Sequence, residues 1–358
     1  MSVKFSNLEH DAFHTELKNE VAALLKSTNL QTQRQRLLYF KVAFYFAIFI
    51  AAIALLYLSP ANNLTQLIGR YLFVGVSGVF LAFNVSHDAT HGTISKKKWV
   101  NKLIFYLSFN LQGTNAYLWS VRHKASHHVF PNVDGCDADI DDNPVIRLSP
   151  TKKHLWYHQY QAYYSFFVYC IYTIHWVFFK DWLYFSKSQI ANLKNIKHTF
   201  GEFMDVFLWK VFYLSLMIFL PHYYLHYSWV WALTSFLIAH VAVSLIFIFT
   251  LIISHLTLET DFPVPDENEK LPYNYSQHQL ATSLDYYPTN LFVNFFLGGF
   301  NSHAAHHLFP HLPHTLYTDI TPIIQRLVKK YNYQYNLSTL PKAIASHFLY
   351  LNKMGQRR

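Results

Sequence analysis

The chain has 358 residues, 52% of them apolar and only 14% charged, against roughly 25% charged in soluble domains. Its length would allow two soluble domains, but the low charge excludes that arrangement and argues for one membrane-embedded body. Cys136 and Cys170 are the only cysteines, which excludes a disulfide framework and a cysteine-ligated zinc site. The net charge of +9 suits nucleic acid or an anionic membrane surface; the long apolar runs favour membrane lipid, with no nucleic acid partner.

Residues 1–36 read as an amphipathic, partly helical cytoplasmic lead-in, with Phe13, Leu17, Val21, Leu24 and Leu25 at helical spacing. They lack the apolar core of a secretory signal. Residues 37–358 read as a single membrane domain. The first span is expected over about 37–58, nearly uncharged apart from Lys41, and Ser59 to Asn63 forms a turn. A second span, about 67–85, runs directly into a histidine pair. Residues 103–118 are apolar but interrupted by Asn110, Gln112, Gly113 and Asn115, the pattern of an interfacial or re-entrant helix. After an acidic loop from Asp134 to Asp142, the aromatic segment 155–185, with Trp156, Trp176 and Trp182, is expected along the membrane surface. Two further spans follow, about 206–225 and 230–254. The connections 59–66 and 221–229 contain no lysine or arginine, while residues 1–41, 94–124, 147–153 and 320–358 are rich in them. The positive-inside rule therefore places both termini and the 86–205 segment in the cytoplasm.

Three histidine boxes lie where the chain leaves these spans: His87 and His91 in HDATH, His123, His127 and His128 in HKASHH, and His303, His306 and His307 in HAAHH. Neutral imidazole is the usual nitrogen ligand of iron, zinc and copper, and eight such ligands suit two metal ions with open positions. On a helix His87 and His91 share a face. His306 and His307 fall about 60° and about 40° to either side of His303, so the third box reaches two metals. In the second box His127 shares the face of His123, but His128 is rotated roughly 140° away on an ideal helix. Either the helix is distorted there or His128 reaches a metal from another side. Ligating histidines donate their other N–H to acceptors, and Asp88, Asp137, Asp139, Asp141, Asp142, Glu259 and Asp261 are the candidates. Iron suits oxygen chemistry at such a nitrogen-rich site; zinc binds the same ligands without supplying electrons. His255 follows the fourth span at once, at the depth of the boxes, with Glu259 and Asp261 close behind.

The boxes resemble those of the integral-membrane fatty acid desaturases, with their H-x(3)-H, H-x(3)-H-H and H-x(2)-H-H pattern. The stretches after the second box and around the third are similar to the bacterial acyl-CoA and front-end branch. So are HLTLETDFP at 255–263 and HQLAT at 278–282. The resemblance covers about residues 35–336. It implies an all-α integral membrane fold of four transmembrane helices under a cytoplasmic helical cap that holds a histidine-ligated di-iron site. It also implies O2-dependent insertion of a double bond into a long-chain acyl-CoA or acyl lipid. In the family an additional histidine ligates at the position of His255, bringing the set to nine; His278, the competitor, reads as an orienting or structural residue. Three departures stand out. His303 replaces the glutamine common in front-end enzymes. No HPGG motif of a fused cytochrome b5 occurs, so electrons are expected from a separate cytochrome b5 or ferredoxin-type donor. Leu251 stands where stearoyl-CoA-type enzymes have an asparagine one turn before the extra histidine.

Two other readings share parts of the pattern. A fatty acyl or carotenoid hydroxylase or ketolase would use similar boxes. A membrane metal transporter would also carry histidines, but near the bilayer midplane on broken helices rather than beyond the span ends. Lys96, Lys97, Lys98, Arg122, Lys124, Lys152 and Lys153 are candidates for CoA phosphates or for ordinary contact with anionic lipid.

Overall fold

The computed structural model of the protein describes residues 3–6, 11–27, 29–141 and 143–356. The helices run in the order α1 (Ala12–Ser27), α2 (Leu30–Leu58), α3 (Leu64–His91), α4 (Lys98–Asn110) and α5 (Ala116–Arg122). They continue with α6 (Trp156–Cys170), α7 (Tyr172–Phe185), α8 (Phe200–Tyr223) and α9 (Trp229–Ser254). The C-terminal part holds α10 (Tyr275–Ala281), α11 (Leu291–Leu297), α12 (His303–Leu308), α13 (Tyr317–Tyr331) and α14 (Leu340–Gly355). A single two-stranded parallel ladder, β1 (Leu284–Tyr286) against β2 (Asn336–Ser338), pairs Leu284 with Asn336; the other β contacts among the described residues are isolated bridges, Lys4 with Lys270 and Ile190 with Leu193.

Helices α2, α3, α8 and α9 are long and apolar enough to cross a membrane, as the hydropathy of their segments requires. Polar side chains set where they start. Asn63 accepts from the Gln66 amide at 2.9 Å, Thr199 and Glu202 form a reciprocal capping pair, and Ser228 accepts from Trp231 N at 3.2 Å. α3 packs between α2 and α9, and Gly75 lets α9 approach so closely that a Cβ there would meet Val243 Cγ2 at 2.8 Å. α8 contains a π turn at Ser215–Phe219, which frees carbonyls that hydrocarbon cannot satisfy. Tyr71 Oη supplies the missing donor to Met217 O at 2.7 Å and Tyr57 Oη does the same for Leu216 O. The outward faces stay apolar, with Phe40, Ile50 and Leu58 all exposed.

α6 and α7 meet at 63° and carry exposed Trp156, Tyr163, Phe167, Phe179 and Leu183. The lead-in helix α1 is no loose appendage. Its buried Phe13, Leu17 and Val21 pack against Leu316, Ile320, Ile324 and Leu327 of the α13 region, and Glu16 takes a hydrogen bond from Lys330 at 2.6 Å. The ends of α3 and α9, helices α5 and α12 and the β ladder enclose a buried space at one end of the bundle. The histidines lie there.

Candidate metal centre

Two distortions of regular helix build the first half of the site. A π turn at Ala82–Ser86 precedes His87 in α3, and a second, His123–His127, extends α5. In the second, His128 N donates to His123 O at 3.0 Å, an i→i+5 bond that widens the turn to roughly 4.4 residues. The wide turn rotates His128 back toward His123, and their Nε2 atoms lie 2.9 Å apart. Of the two alternatives open from sequence, the helix is distorted.

The rings gather in two groups: His87, His91, His123, His128 and His306, and His127, His255, His303 and His307, each with ligand nitrogens within 4.8 Å of one another. His91 Nε2 is 3.2 Å from His123 Nε2. In the second group the Nε2 atoms of His255, His303 and His307 are separated by 2.6, 3.2 and 3.2 Å. Adjacent ligands about 2.0–2.1 Å from one metal lie about 3 Å apart, so these spacings suit a cation at the centre of each group. The second and third boxes divide: His123 and His128 go to one group and His127 to the other, while His306 parts from His303 and His307. Buried nitrogens without a hydrogen-bond partner among the described residues, including His87 Nε2 and His306 Nε2, are what a metal would satisfy. The donor set therefore fits a pair of nitrogen-seeking metal ions.

Most rings outside the spans are held neutral by burial. His123, His128, His303, His306 and His307 fall well below the usual imidazole range, and His255 to about 3. His127 is the exception. Burial opposes its charge, but the carboxylates of Asp137 and Asp139 outweigh burial and raise it to about 9. Its Nδ1 faces Asp137 Oδ1 at 3.1 Å, and Asp137 is itself fixed by the amides of Asn132 and Asp139, each at 2.9 Å. Other anchors are His255 Nδ1 to Thr282 O and His307 Nδ1 to Gln279 Oε1, both 2.8 Å, and His306 Nδ1 to Tyr317 Oη, 3.3 Å.

Several expected orienting residues stand elsewhere. Asp88 turns from the box histidines to His314, whose Nδ1 lies 3.0 Å from Asp88 Oδ2 and whose Nε2 lies 2.6 Å from Lys41 Nζ. The lone charge of the first span is thus buried and paired through an imidazole to the first box, as an intramembrane cation requires. Glu259 is exposed and accepts from Ser346 Oγ, because the chain after His255 turns it outward. The Asp261 carboxylate accepts from Tyr273 Oη at 2.6 Å, and only its backbone carbonyl reaches the site, through Asn132 Nδ2, which also bonds His255 O. His278 is fully buried, 5.4 Å from the Phe5 ring centroid, and belongs to neither group. Asp142 and the side chain of Asp141 lie outside the described residues. Sequence reasoning missed Gln279, Thr282, Tyr317 and Asn132; the HQLAT motif held the signal, but at Gln279 and Thr282 rather than at its histidine.

A cavity of about 530 Å³ runs along the metal centre, walled by His87, His123, His127, His255 and His303 and by Phe83, Phe109, Trp119, Phe247, Leu251 and Phe300. Ala82, Phe109, Trp176 and Phe247 are shared with a smaller space of about 70 Å³ between the spans, lined also by Gly75, Gly78 and Gln112. Leu251 is part of the apolar wall of the larger cavity.

Fold and site together define a multi-pass membrane protein with a buried, histidine-rich centre fitted to two metals and set against an apolar channel. The sequence pattern of the fatty acid desaturase family matches residues 61–339, and the chain belongs to that family. It is 29% identical to the sn-1 linoleoyl-lipid 6-desaturase of Arthrospira platensis over 345 residues, 96% of this chain and 92% of that one. It is 28% identical to the acyl-lipid (8-3)-desaturase of Physcomitrium patens, covering 99% of this chain and 74% of the relative. To the sn-1 linoleoyl-lipid 6-desaturase of Synechocystis sp. it is 24% identical, over 99% and 98%. The protein is a membrane fatty acid desaturase, and the metal-transporter reading falls.

Proposed function

We propose that the protein is an O2-dependent acyl-lipid desaturase whose nine clustered histidines hold two iron ions. The observation that carries this reading is the junction of both histidine groups with one apolar cavity. Once bound, the iron pair supplies the activation of O2 that removes two hydrogens from adjacent methylenes.

The chain's own residues do the rest. Phe83, Phe109, Phe247 and Phe300 grip a chain that offers no polar handle and keep water from the centre. Asp137, Thr282 O and Gln279 hold the Nδ1 side of His127, His255 and His307, which aims each Nε2 inward. Asp137 and Asp139 also place negative charge beside an otherwise all-imidazole set. Names of the relatives favour an acyl lipid over acyl-CoA. The two electrons come from a donor of cytochrome b5 or ferredoxin type, and the charge asymmetry of the connections supports a centre on the cytoplasmic face.

Methyl-ester profiling of a host with and without the gene tests the reaction. A new double bond is expected; a product heavier by one oxygen would favour the hydroxylase reading instead. For topology, cysteines introduced near residues 62 and 227 should react with impermeant reagents from outside and those near 98 and 266 should not. The opposite pattern would overturn the cytoplasmic assignment.

A further inference from the structure

The second histidine box is followed by PNVDG at 131–135, a turn sequence. Asn132 takes the left-handed conformation there, at φ 61°, which asparagine tolerates better than most side chains. The residue is only 1% exposed. Its backbone N–H donates to Asp137 Oδ2 at 2.9 Å, and its Nδ2 donates to His255 O at 2.8 Å and to Asp261 O at 3.0 Å. Its Oδ1 accepts from no donor among the described residues, although a buried carboxamide oxygen ordinarily has a partner.

Asn132 lines two spaces. One is the 530 Å³ cavity, where it stands with Asp137, His127 and His255. The other is a cleft of about 430 Å³, lined also by Asp134, Ser149, Thr151, Phe262 and Val264. Among the described residues Asn132 is the one that both share. The cleft runs from exposed Thr151 and 57% exposed Val264 to buried Ser149 and Asn132. Part of its wall is polar: Ser149 Oγ and Thr151 Oγ1 lie 2.8 Å apart, and Thr151 Oγ1 donates to Asp134. No span contributes to the cleft, and its hydroxyls and carboxylate suit water.

Desaturation makes such a route necessary. Two C–H bonds and the O–O bond break, one C=C bond and four O–H bonds form, and the donor supplies two electrons. Two protons must therefore reach a buried centre, and two waters must leave it, while the acyl chain fills the apolar side of the cavity. We propose that the cleft is the water passage of the reaction and that protons and product water cross between the two spaces at Asn132. This rests on the desaturase reading and adds a polar route separate from the hydrocarbon channel. Water held against Asn132 Oδ1 and the hydroxyls of Ser149 and Thr151 carries the protons, so no side chain has to titrate.

The test closes the mouth of the cleft after folding and iron loading. Val264→Cys, made in a Cys170→Ser background, is labelled with N-benzylmaleimide, and the full chain is assayed with reduced ferredoxin in vesicles of the expressing host's lipids. Labelling should lower kcat about tenfold as water exchange becomes limiting. Half-saturation for lipid and bound iron should stay as before, and kcat in D2O should drop further below its value in H2O than it does without the label. Glu267→Cys, exposed on the same loop but outside the cleft, should keep its kcat when labelled. Val264→Trp, which narrows the mouth without a reagent, should repeat the loss of kcat. Complete labelling of Val264→Cys with unchanged kcat and unchanged response to D2O would overturn the passage. A fall in activity matched by an equal fall in bound iron would overturn it too, since the cleft would then only support the histidine groups. No new double bond from the iron-loaded wild type would instead defeat the desaturase reading, and the proposal with it.

Discussion

In the four-histidine group, three rings turn their outer nitrogen to a protein acceptor, at 3.1 Å for His127 and 2.8 Å for both His255 and His307. In the five-histidine group only His306 has such an anchor, a 3.3 Å contact with Tyr317, and the Nδ1 atoms of His87 and His128 have none among the described residues. That group is held by other means. The π turns set its phase, His123 stacks on Trp119 with centroids 4.2 Å apart, and His87 packs 4.5 Å from Phe300. Its helix is tied through Asp88 and His314 to Lys41. One half of the centre is thus aimed by hydrogen bonds to its ligands and the other by the path of the backbone. Hydrogen-bonded ligands have fixed tautomers and raised basicity, so the two metals should differ in how tightly they are held.

Removing a ligand should have the largest effect and ignore the difference between the groups. Alanine at any of the nine histidines should reduce new double bonds below detection and lower bound iron, with protein level in the membrane changing far less. His278→Ala, by contrast, should keep its iron. Near-normal product from two or more of the nine variants would defeat the two-metal arrangement.

The comparison itself is tested by the anchors. Asp137→Asn and Gln279→Leu should each lower activity or metal affinity by about 10–100-fold, losing close to one iron per chain by metal analysis. Tyr317→Phe, on the weaker anchor of the other group, should cost less. Equal losses from all three would mean that the hydrogen bonds do not distinguish the two halves.

Lys41 tests the backbone route. Lys41→Met leaves the buried Asp88 facing only the His314 ring, a change of the kind that costs about 3–5 kcal/mol. It should show as a lower melting temperature in detergent and partial loss of iron from the five-histidine group. Adding Asp88→Asn should recover part of the stability, and a strictly additive double variant would break the proposed linkage.

The smallest effect is expected at the inner end of the channel. A Cβ at Gly78 would meet Gln112 Oε1 and Phe49 Cε2 at 3.2 Å, a contact that side-chain movement can relieve. Gly78→Ala should leave total conversion within a few-fold, while Gly78→Leu should shift the product profile toward shorter chains by filling the space beyond the histidines. An unchanged profile would show that the acyl chain does not pass between the spans.

The sequence by itself determined the four spans, because hydrocarbon thickness and the absence of charge leave few alternatives for runs such as 230–254. It also marked the candidate ligand residues of the boxes, since imidazole chemistry is local and HDATH and HAAHH carry their spacing on one helix. The tertiary structure decided what depends on distant partners. The division of the second box between two groups followed from a π turn, which leaves no mark in residue spacing. His307 is held by Gln279, whereas Glu259, a carboxylate only four residues beyond His255, points outward because the chain turns there. Proximity in sequence was a poor guide to the orienting acceptors, since a side chain on an irregular loop has no fixed phase. Lys41 was visible as a lone charge in an apolar run, but its meaning needed Asp88 from the next span and His314 from the C-terminal part, brought together by packing of the spans against the cap.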